Sequence, residues 1–370
     1  MAGKNIMFVV QGEGRGHLTQ AIALQNLLLA EGFGISGVLI GKSQYREIPE
    51  FIFKQLYPPV ASFESPNFIK DSKTKGIRVL PSVIKNFLKL RTFKKSLNFI
   101  RLKIEEQRPD VIFNFFDPLI GLYYLLYNPP IPMICIGHQY TYLHPDFKFP
   151  DGRLIDRIST KMYIKLTCMR AKKKLALSLY CMEDYSKDKV IIVPPLLRAE
   201  IYNQKVTKGS YLLIYLLNSG YVNEIIQWHL QNPDIEIHCY TDQKDILDVY
   251  QYNQKLYFHQ LNDDFVKMMA GSMGLMTTAG FESICEAMYM EKPIFMVPVP
   301  GHYEQYCNAV DTAKIGAGIY DSYFNIDKFI KHISVDKINH NEFRLWMESG
   351  KFKVINQLNE VFENINNCTL

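Results

Sequence analysis

The sequence predicts an α/β protein made of two doubly wound parallel-sheet domains that face each other across a cleft. Short apolar runs alternate with helical patterns in the first half of the chain, and the alternation starts again in the second half. This alternation is typical of parallel sheets that carry helices on both faces. With 370 residues, the chain is also long enough for two domains of ordinary size.

The first half contains apolar runs that we expect to be buried strands, at 5–11, 35–40, 111–116, 132–137 and 189–193. Between the first two runs, apolar residues recur at helical spacing, namely Leu18, Ala21, Ile22, Leu28 and Leu29. We therefore assign residues 1–195 to an N-terminal domain.

The second half repeats this pattern, with apolar runs at 211–217, 235–240, 256–260, 273–276 and 293–298. Residues 196–208 follow two prolines and become polar, which is typical of a linker between domains. We place the second domain at 209–340. The remaining residues, 341–370, have a helical pattern and could pack back on the N-terminal domain.

The composition is that of a globular protein with a sizeable core, because 48% of the residues are hydrophobic and 21% are charged. A net charge of +5 is mild for this length and does not indicate nucleic-acid binding. No apolar stretch reaches the roughly 18 residues of a membrane-spanning helix, and the N-terminus does not fit a signal peptide. The seven cysteines form no C-x-x-C pair, so we expect buried free thiols and a cytoplasmic protein.

A glycine-rich turn, GEGRGH at 12–17, follows the first predicted strand and leads into a helix. The dinucleotide-binding fingerprint needs a third glycine where His17 stands, and an acidic residue where the second strand ends in Gly41 and Lys42. Both tests fail, which disfavours a Rossmann oxidoreductase. The turn still predicts a close approach of backbone to a ligand, with a plain turn and a solvent-facing histidine as the alternative.

The stretch TTAGFESICEAMYMEKPIFMVPVPGHYEQYCNA at 277–309 contains two predicted helix starts at one sheet edge. The free N–H groups and positive dipole ends of such helices suit a pyrophosphate. Glu282 and Glu286 lie four residues apart and therefore on one helix face. The spacing of Ser283 and Glu286 also fits a capping box, which is the alternative to ligand contact.

Three blocks together resemble the GT-B glycosyltransferases, in particular the branch with the peptidoglycan lipid-intermediate N-acetylglucosaminyltransferase and the UDP-glycosyltransferases. The blocks are GEGRGH at 12–17, TAGFESICE at 278–286 and EQYCNA at 304–309, and their order covers nearly the whole chain. The resemblance implies a hexosyltransferase with two Rossmann-like domains. The N-terminal domain would bind the acceptor and the C-terminal domain a nucleotide-sugar donor.

On the donor side, the resemblance implies that Glu286 holds the ribose hydroxyls of a UDP-type donor, while Glu304 and Gln305 contact its sugar. It further implies phosphate contacts from two turns and the linker, formed by Arg198, Ser219, Gly220, Thr278, Ala279, Gly280 and Phe281. The chain departs from the family at 216–218, where Leu-Leu-Asn replaces the usual glycines. Plainer roles stay open: a helix start for Glu304, contact with solvent for Gln305, and the linker surface for Arg198.

An inverting transfer needs one base, and His17 suits this role because a histidine with the ordinary pKa of about 6.5 is available as neutral imidazole at cell pH. Asp117 ends a predicted strand and would orient His17, as an aspartate does in UDP-glycosyltransferases of this type. A cap in front of the following proline is the alternative for Asp117. His138 would line the acceptor side with Gly14 and Gly16, or act as the base instead. The chain has no D-x-D run, and we expect neither a metal nor a cofactor.

The acceptor would be a hydroxyl, and several relatives in this branch glycosylate lipid carriers, so a lipid-linked or cell-envelope glycan is one option. Two basic stretches with helical patterns lie at 85–103 and 153–177. Such helices bind anionic membrane surfaces or merely present a solvated face, so contact with the inner face of the cell membrane stays open. A UDP-sugar 2-epimerase and a non-catalytic sugar-nucleotide-binding protein are the alternative functions.

Overall fold

The protein, seen in a computed structural model, is built on two sheets of seven strands, one in each half of the chain. The structure describes residues 4–44, 46–48, 50–57, 59–66, 69–70, 77–78, 89–216, 219–241, 249–260, 264–335 and 341–367. Both sheets are mostly parallel and alternate with helices along the chain, so the predicted fold class is confirmed.

The first half of the chain forms a parallel sheet with its connecting helices. Its elements are β1 (Asn5–Gln11), α1 (Arg15–Ala30), β2 (Gly34–Lys42), α2 (Glu50–Gln55), β3 (Val60–Glu64), the pair β4 (Ile69–Lys70) and β5 (Ile77–Arg78), α3 (Leu90–Gln107), β6 (Val111–Phe115), α4 (Pro118–Tyr127), β7 (Met133–Gly137), α5 (Leu154–Thr167), β8 (Lys173–Leu177) and β9 (Val190–Val193). The strand order is β3-β2-β1-β6-β7-β8-β9. Every residue of β6 and β7 is buried, because helices cover both faces of a parallel sheet.

The second half forms a similar sheet with one antiparallel pair. Its elements are α6 (Ala199–Tyr202), β10 (Tyr211–Leu216), α7 (Val222–Gln231), β11 (Glu236–Thr241), β12 (Val249–Asn253), β13 (Leu256–Gln260), α8 (Asp264–Gly271), β14 (Gly274–Thr277), α9 (Phe281–Tyr289), β15 (Ile294–Met296), α10 (Tyr303–Lys314), β16 (Ile319–Tyr320) and α11 (Ile326–Val335). The strand order is β12-β13-β11-β10-β14-β15-β16, and only the described pair β12–β13 is antiparallel.

In each sheet, the chain first adds strands on one side of the first strand and later adds them on the other side. The strand order therefore reverses between β1 and β6 in the first sheet and between β10 and β14 in the second. Open α/β sheets bind ligands outside the carboxyl ends of their strands at such a switch point. The turn with His17 follows β1, and Asp117 follows β6; in the second sheet Ser219 follows β10, and Thr278 follows β14. These four predicted site residues therefore lie at the two switch points.

Two helices, α12 (Asn341–Glu348) and α13 (Gly350–Asn367), follow the second sheet and contact the first domain. Trp346 Nε1 donates a hydrogen bond to the Ser178 carbonyl oxygen at 2.9 Å, and Lys353 Nζ donates one to Asp184 Oδ1 at 3.0 Å. Among the helices of the described residues, none is long and apolar enough to cross a membrane.

The helix predicted over 153–177 is wrong in its last part, because Lys173–Leu177 forms β8. The two lysine side chains of this strand have polar partners elsewhere in the fold. Lys173 Nζ donates to Gln357 Oε1 at 2.6 Å, and Lys174 Nζ lies 3.7 Å from Asp188 Oδ1. Of the other basic stretch, α3 begins at Leu90, and residues 85–88 lie outside the described residues.

Candidate active site

The N-terminal ends of α1 and α9 meet across the cleft between the two sheets. Gln20 Nε2 of α1 donates a hydrogen bond to Glu282 Oε1 of α9 at 2.5 Å. A Cβ atom built on Gly16 would lie 3.3 Å from Cγ of Glu282, so the absence of a side chain at residue 16 permits this approach. Gly14 is the exposed N-cap of α1. The structure thus places Gly16 against the donor-side helix, whereas the resemblance had placed both glycines on the acceptor side.

His17 is the third residue of α1 and is half-buried. Its Nδ1 lies 3.2 Å from Gln20 Oε1, which can only accept a hydrogen bond, so Nδ1 carries the ring proton. Nε2 is then the nitrogen with the lone pair, and it faces the amide nitrogen of Gln139 at 3.4 Å. Burial lowers the pKa of His17 to about 4, against the opposing charge of Glu304. The imidazole is therefore neutral at cell pH, and its Nε2 can accept a proton.

The groups that orient His17 form a chain from one domain to the other. Oε1 of the Glu282 carboxyl group accepts from the Gln20 amide nitrogen, and the oxygen of the same amide accepts from the His17 ring. Burial raises the pKa of Glu282 to about 8, while its hydrogen bond with Gln20 acts in the opposite direction. A carboxyl group, mostly protonated at cell pH, thus acts on the imidazole through an amide, and Glu282 and His17 lie in different domains.

Asp117, which the sequence predicts as the partner of His17, caps α4 instead. Its Oδ1 accepts hydrogen bonds from two backbone N–H groups in the first turn of α4, and its Oδ2 accepts one from Ser65 Oγ at 2.7 Å. Phe116 has a left-handed φ of 65°, and its ring, not the following carboxylate, stacks on His17 at 5.5 Å. Burial raises the pKa of Asp117 to about 6. The expected pair is therefore corrected: the oxygens of Asp117 serve their own domain.

His138 follows β7 and connects the first domain to two helix starts of the second. Its ring is 5% exposed and stacks on Phe281 at a centroid distance of 4.4 Å with an angle of 6°. Its Nε2 lies 3.2 Å from Glu304 Oε1. Although burial opposes it, the His138 imidazole holds the pKa of Glu304 well below its usual range. His138 thus lies between the starts of α9 and α10, where the resemblance places the donor.

The turn between β14 and α9 has unsatisfied polar groups that point to a ligand. Gly280 is the N-cap of α9 and supplies no side-chain hydrogen bond to it, so the first N–H groups of the helix keep no partner within the helix. Ala279 has a φ of 59°. The Thr278 hydroxyl is fully buried and has no hydrogen-bond partner within the described part of the chain. A buried group of this kind normally has a partner, and an anionic ligand at this turn would supply one.

Glu286 lies in the second turn of α9, so the capping-box alternative is wrong. The helix begins at Phe281, and Ser283 Oγ donates back to the Gly280 carbonyl oxygen at 3.0 Å. Glu286 is 3% exposed and forms an ion pair with Arg198, whose Nε and Nη2 lie 2.9 and 2.6 Å from Glu286 Oε1. Arg198 is therefore tied to the predicted donor site, not free on the linker surface.

The remaining donor-side residues are Gln305, in the first turn of α10, and Ser219 and Gly220, which follow β10. Gln305 is 3% exposed, and its Oε1 accepts from the Val299 N–H at 2.9 Å, so the solvated alternative is wrong. Ser219 and Gly220 open a 3₁₀ helix, and β10 ends at Leu216, three residues before Ser219. Residues 217–218, where the chain departs from the family pattern, lie outside the described residues.

Sequence analysis missed two residues of this site, Gln20 and Gln139, and noted Glu282 only as a neighbour of Glu286 on one helix face. Gln20 is one helical turn after His17, and Gln139 directly follows His138, so only their neighbours in sequence gave a signal. Among the described residues, no group of three His, Cys, Asp or Glu side chains is placed to hold a metal ion.

Two mostly parallel sheets, each with its site residues at the switch point, form the arrangement of the GT-B fold, and solved structures share it. The glycotransferase of kitacinnamycin is 14% identical, with a TM-score of 0.67 over 98% of this chain and 100% of that one. MurG of Acinetobacter baumannii is 14% identical, with a TM-score of 0.58 over 96% and 99%. Medicago truncatula UGT71G1, complexed with UDP-glucose, is 14% identical, with a TM-score of 0.62 over 97% and 98%.

The chain belongs to glycosyl transferase family 1, whose model matches residues 4–334. It is a glycosyltransferase, and the resemblance found in the sequence is confirmed. None of the curated proteins matches it significantly in sequence.

Proposed function

We propose that the protein transfers a sugar, with inversion and without a metal, from a UDP-sugar to a hydroxyl acceptor. The observation that carries the proposal is the position of a neutral His17 beside the uncapped start of α9. The first group suits a base and the second suits a diphosphate. Structural neighbours in complex with UDP and with UDP-glucose support the choice of nucleotide.

The reaction is a single displacement at the anomeric carbon of the donor sugar. The acceptor oxygen attacks that carbon, its proton passes to His17 Nε2, and the bond from the carbon to the diphosphate oxygen breaks. The electron pair of that bond leaves with the diphosphate. Attack from the side opposite the leaving group inverts the anomeric centre, so one base is sufficient.

The leaving diphosphate would be stabilised by groups of the second domain and of the linker. These are the N–H groups at the start of α9, the Thr278 hydroxyl and the guanidinium of Arg198. Helix starts and charge-assisted hydrogen bonds favour an anion at this place. Glu286 would bind the ribose hydroxyls, and Glu304 and Gln305 the sugar. Because these groups meet the developing charge, the proposal requires no metal.

A calorimetric titration of the protein with UDP, carried out in the presence of EDTA, tests the donor site. We expect binding with EDTA present, and Glu286→Ala should weaken it by about 1.5–3 kcal/mol, the value of hydrogen bonds to a charged group. Glu348→Ala removes an exposed carboxylate from α12 and serves as the matched control. Loss of binding with EDTA, or normal binding by Glu286→Ala, would reject the assignment.

Product analysis by NMR separates transfer from the alternative functions. Incubation with UDP-N-acetylglucosamine alone should leave the sugar unchanged at C2. An isomerised sugar would identify a 2-epimerase, and binding without turnover over a panel of hydroxyl acceptors would favour a non-catalytic role.

The acceptor would be met at an anionic membrane surface on the cytoplasmic side, as a lipid-linked or cell-envelope glycan. Large apolar side chains of α5 are exposed on one face of this helix: Leu154 64%, Ile155 83%, Ile158 50% and Met162 67%. Lys161 and Lys165 recur beside that face. On the inner side of α5, Tyr163 packs edge-on against Phe116, the ring that stacks on His17. One helix thus connects a surface suited to lipid head groups with the base.

Sedimentation with phosphatidylglycerol vesicles tests this surface. Binding at low salt should weaken at high salt, because salt screens the attraction, and Ile155→Ser with Ile158→Ser should reduce it. Leu230→Ser, on the second domain, removes a side chain that is 54% exposed and is the control. Lys173 and Lys174 also belong to the basic stretch 153–177, but both form ion pairs within the fold. Charge reversal at these two lysines would therefore disturb the fold and would not test membrane binding. No sedimentation at low salt would favour a solvated face.

A further inference from the structure

A groove of about 620 Å³ lies between the two domains, apart from the site described above. The segment from Pro145 to Asp151, with Arg157 of α5, forms one wall, and α10 with β16 forms the other. Tyr306, Val310 and Lys314 line it at intervals of four residues, on one face of α10. Glu304 and Asn308, which contact the first domain in the cleft, occupy a different face of this helix.

Positive charge in the groove exceeds negative charge. Its lining includes Lys148, Arg157 and Lys314 but a single acidic side chain, Asp151. Within the part of the chain that the structure describes, Lys148 and Arg157 form no ion pair, and Lys314 Nζ donates to the Lys148 carbonyl oxygen at 2.7 Å. These cations can therefore bind an anion without first giving up a carboxylate.

Aromatic rings hold the basic side chains in place and provide a flat apolar surface. The Arg157 guanidinium lies 4.5 Å from the centre of the Phe149 ring, and that of Arg153 lies 5.2 Å from the Tyr306 ring. Cation–π contacts restrict the long side chains, which lowers the entropy that a ligand must remove. Tyr320, 37% exposed, adds a ring on the other wall. The C–H face of a sugar packs well on such rings, while a charged substituent reaches the cations.

We propose that this groove binds an anionic sugar, one that carries a phosphate or a carboxylate group, as a part of the acceptor remote from the reacting hydroxyl. The inference rests on the transfer reaction proposed above. The donor phosphates have their own place at the start of α9, so the groove has a separate anion to recognise. Because both domains form its walls, an occupant contacts both of them and favours the closed cleft.

Calorimetry with glucose 1-phosphate tests the groove, with UDP at saturation so that the donor site is filled. Arg157→Ala and Lys314→Ala, one from each wall, should each weaken binding about tenfold or more, because each removes a charge-assisted hydrogen bond. Lys187→Ala and Lys331→Ala remove exposed lysines outside the groove, one in each domain, and should bind as the parent does. Equal affinity in all four variants overturns the proposal. Melting temperatures confirm that each variant is folded.

Three further probes identify the chemistry that is recognised. Methyl glucoside and inorganic phosphate should each bind more weakly than glucose 1-phosphate. Inorganic phosphate that binds equally well would indicate a site for anions in general and would overturn the proposal that the groove recognises a sugar. Vesicles of phosphatidylglycerol should not compete with glucose 1-phosphate, and competition that depends on Arg157 and Lys314 would mean a lipid head-group site instead. The titration with UDP alone reports on the donor site, so a failure of the proposed function is seen separately.

Discussion

The turn after β6 and the turn after β14 hold equivalent positions in the two sheets, but the first is closed and the second is open. Each follows the strand next to the first strand of its sheet and contains one residue of positive φ, Phe116 at 65° and Ala279 at 59°. In the first turn, Asp117 caps the helix. In the second, Gly280 leaves α9 uncapped, and the Thr278 hydroxyl is buried without a partner in the described chain.

The difference teaches that one backbone design serves structure in one domain and binding in the other, and that a single side chain decides which. A buried hydroxyl without a partner costs about 1–3 kcal/mol. A capped helix start avoids such a cost and has no N–H groups to offer. The open turn of the second domain is therefore where a ligand has most to contribute.

The largest expected effect is on turnover, from removal of the proposed base, His17, which lies outside both turns. His17→Ala should lower turnover by about 10²–10⁴-fold, the usual contribution of a general base, and should leave the affinity for UDP nearly unchanged. Steady-state kinetics and calorimetry on the same preparation measure the two quantities. Full activity in this variant would transfer the role of base to His138, and loss of UDP affinity alone would make the glycine turn a binding element.

The pH dependence of the parent sharpens this assignment. A base works in its deprotonated form, and the pKa of His17 is lowered to about 4. Activity should thus be level near neutrality and fall as the pH decreases through about 4. The kcat/KM profile of the free enzyme reports this limb, and the limb should be absent in His17→Ala. A limb at the ordinary histidine pKa, about 6.5, would contradict the buried environment.

The next effect tests the hydrogen bonds by which Glu282 of the second domain orients the proposed base through Gln20. Glu282→Ala should lower kcat by up to about 10²-fold, because a misplaced catalytic group costs this much. Glu282→Gln keeps an oxygen that accepts from Gln20 and should recover most of the rate. Equal rates for the two variants would mean that this residue has no positioning role.

A smaller effect tests the open turn. Thr278→Val removes the unpartnered hydroxyl, so the free protein should become more stable by about 1 kcal/mol, while UDP binds about tenfold more weakly. Thermal unfolding with and without UDP measures both quantities. A variant that loses stability in the absence of ligand would show that the hydroxyl already has a partner.

The smallest effect on activity is expected in the closed turn. Asp117→Asn retains a cap oxygen, so turnover should stay near that of the parent. The raised pKa of Asp117, about 6, means that its stability contribution is complete below pH 3.8 and is lost as the pH rises through 6. The unfolding free energy of the variant should therefore depend less on pH between these values, with a gain at pH 7 of about 1–3 kcal/mol. A strong loss of turnover would restore the predicted role beside His17.

The sheets could be predicted from the sequence because strands buried on both faces are continuous apolar runs. The run that forms β8 was missed, since Lys173 and Lys174 interrupt it and reach partners that only the fold supplies. Local patterns indicated His17 and the start of α9. They could not indicate that Gln20 meets Glu282, because the two residues are 262 positions apart. For Asp117, an aspartate before proline fits a cap and a catalytic partner equally well.

The contact between Gln20 and Glu282 also makes the base depend on the separation of the domains. A motion that opens the cleft moves α1 away from α9 and breaks this hydrogen bond. Gln20 then loses the partner that fixes the orientation of its amide, and this amide is the acceptor of the His17 Nδ1 proton. When the cleft is open, water next to a bound donor would therefore meet a His17 ring that is no longer held in place from the second domain. Under the proposed mechanism, this contact would confine hydrolysis of the donor sugar to the periods in which the cleft is closed.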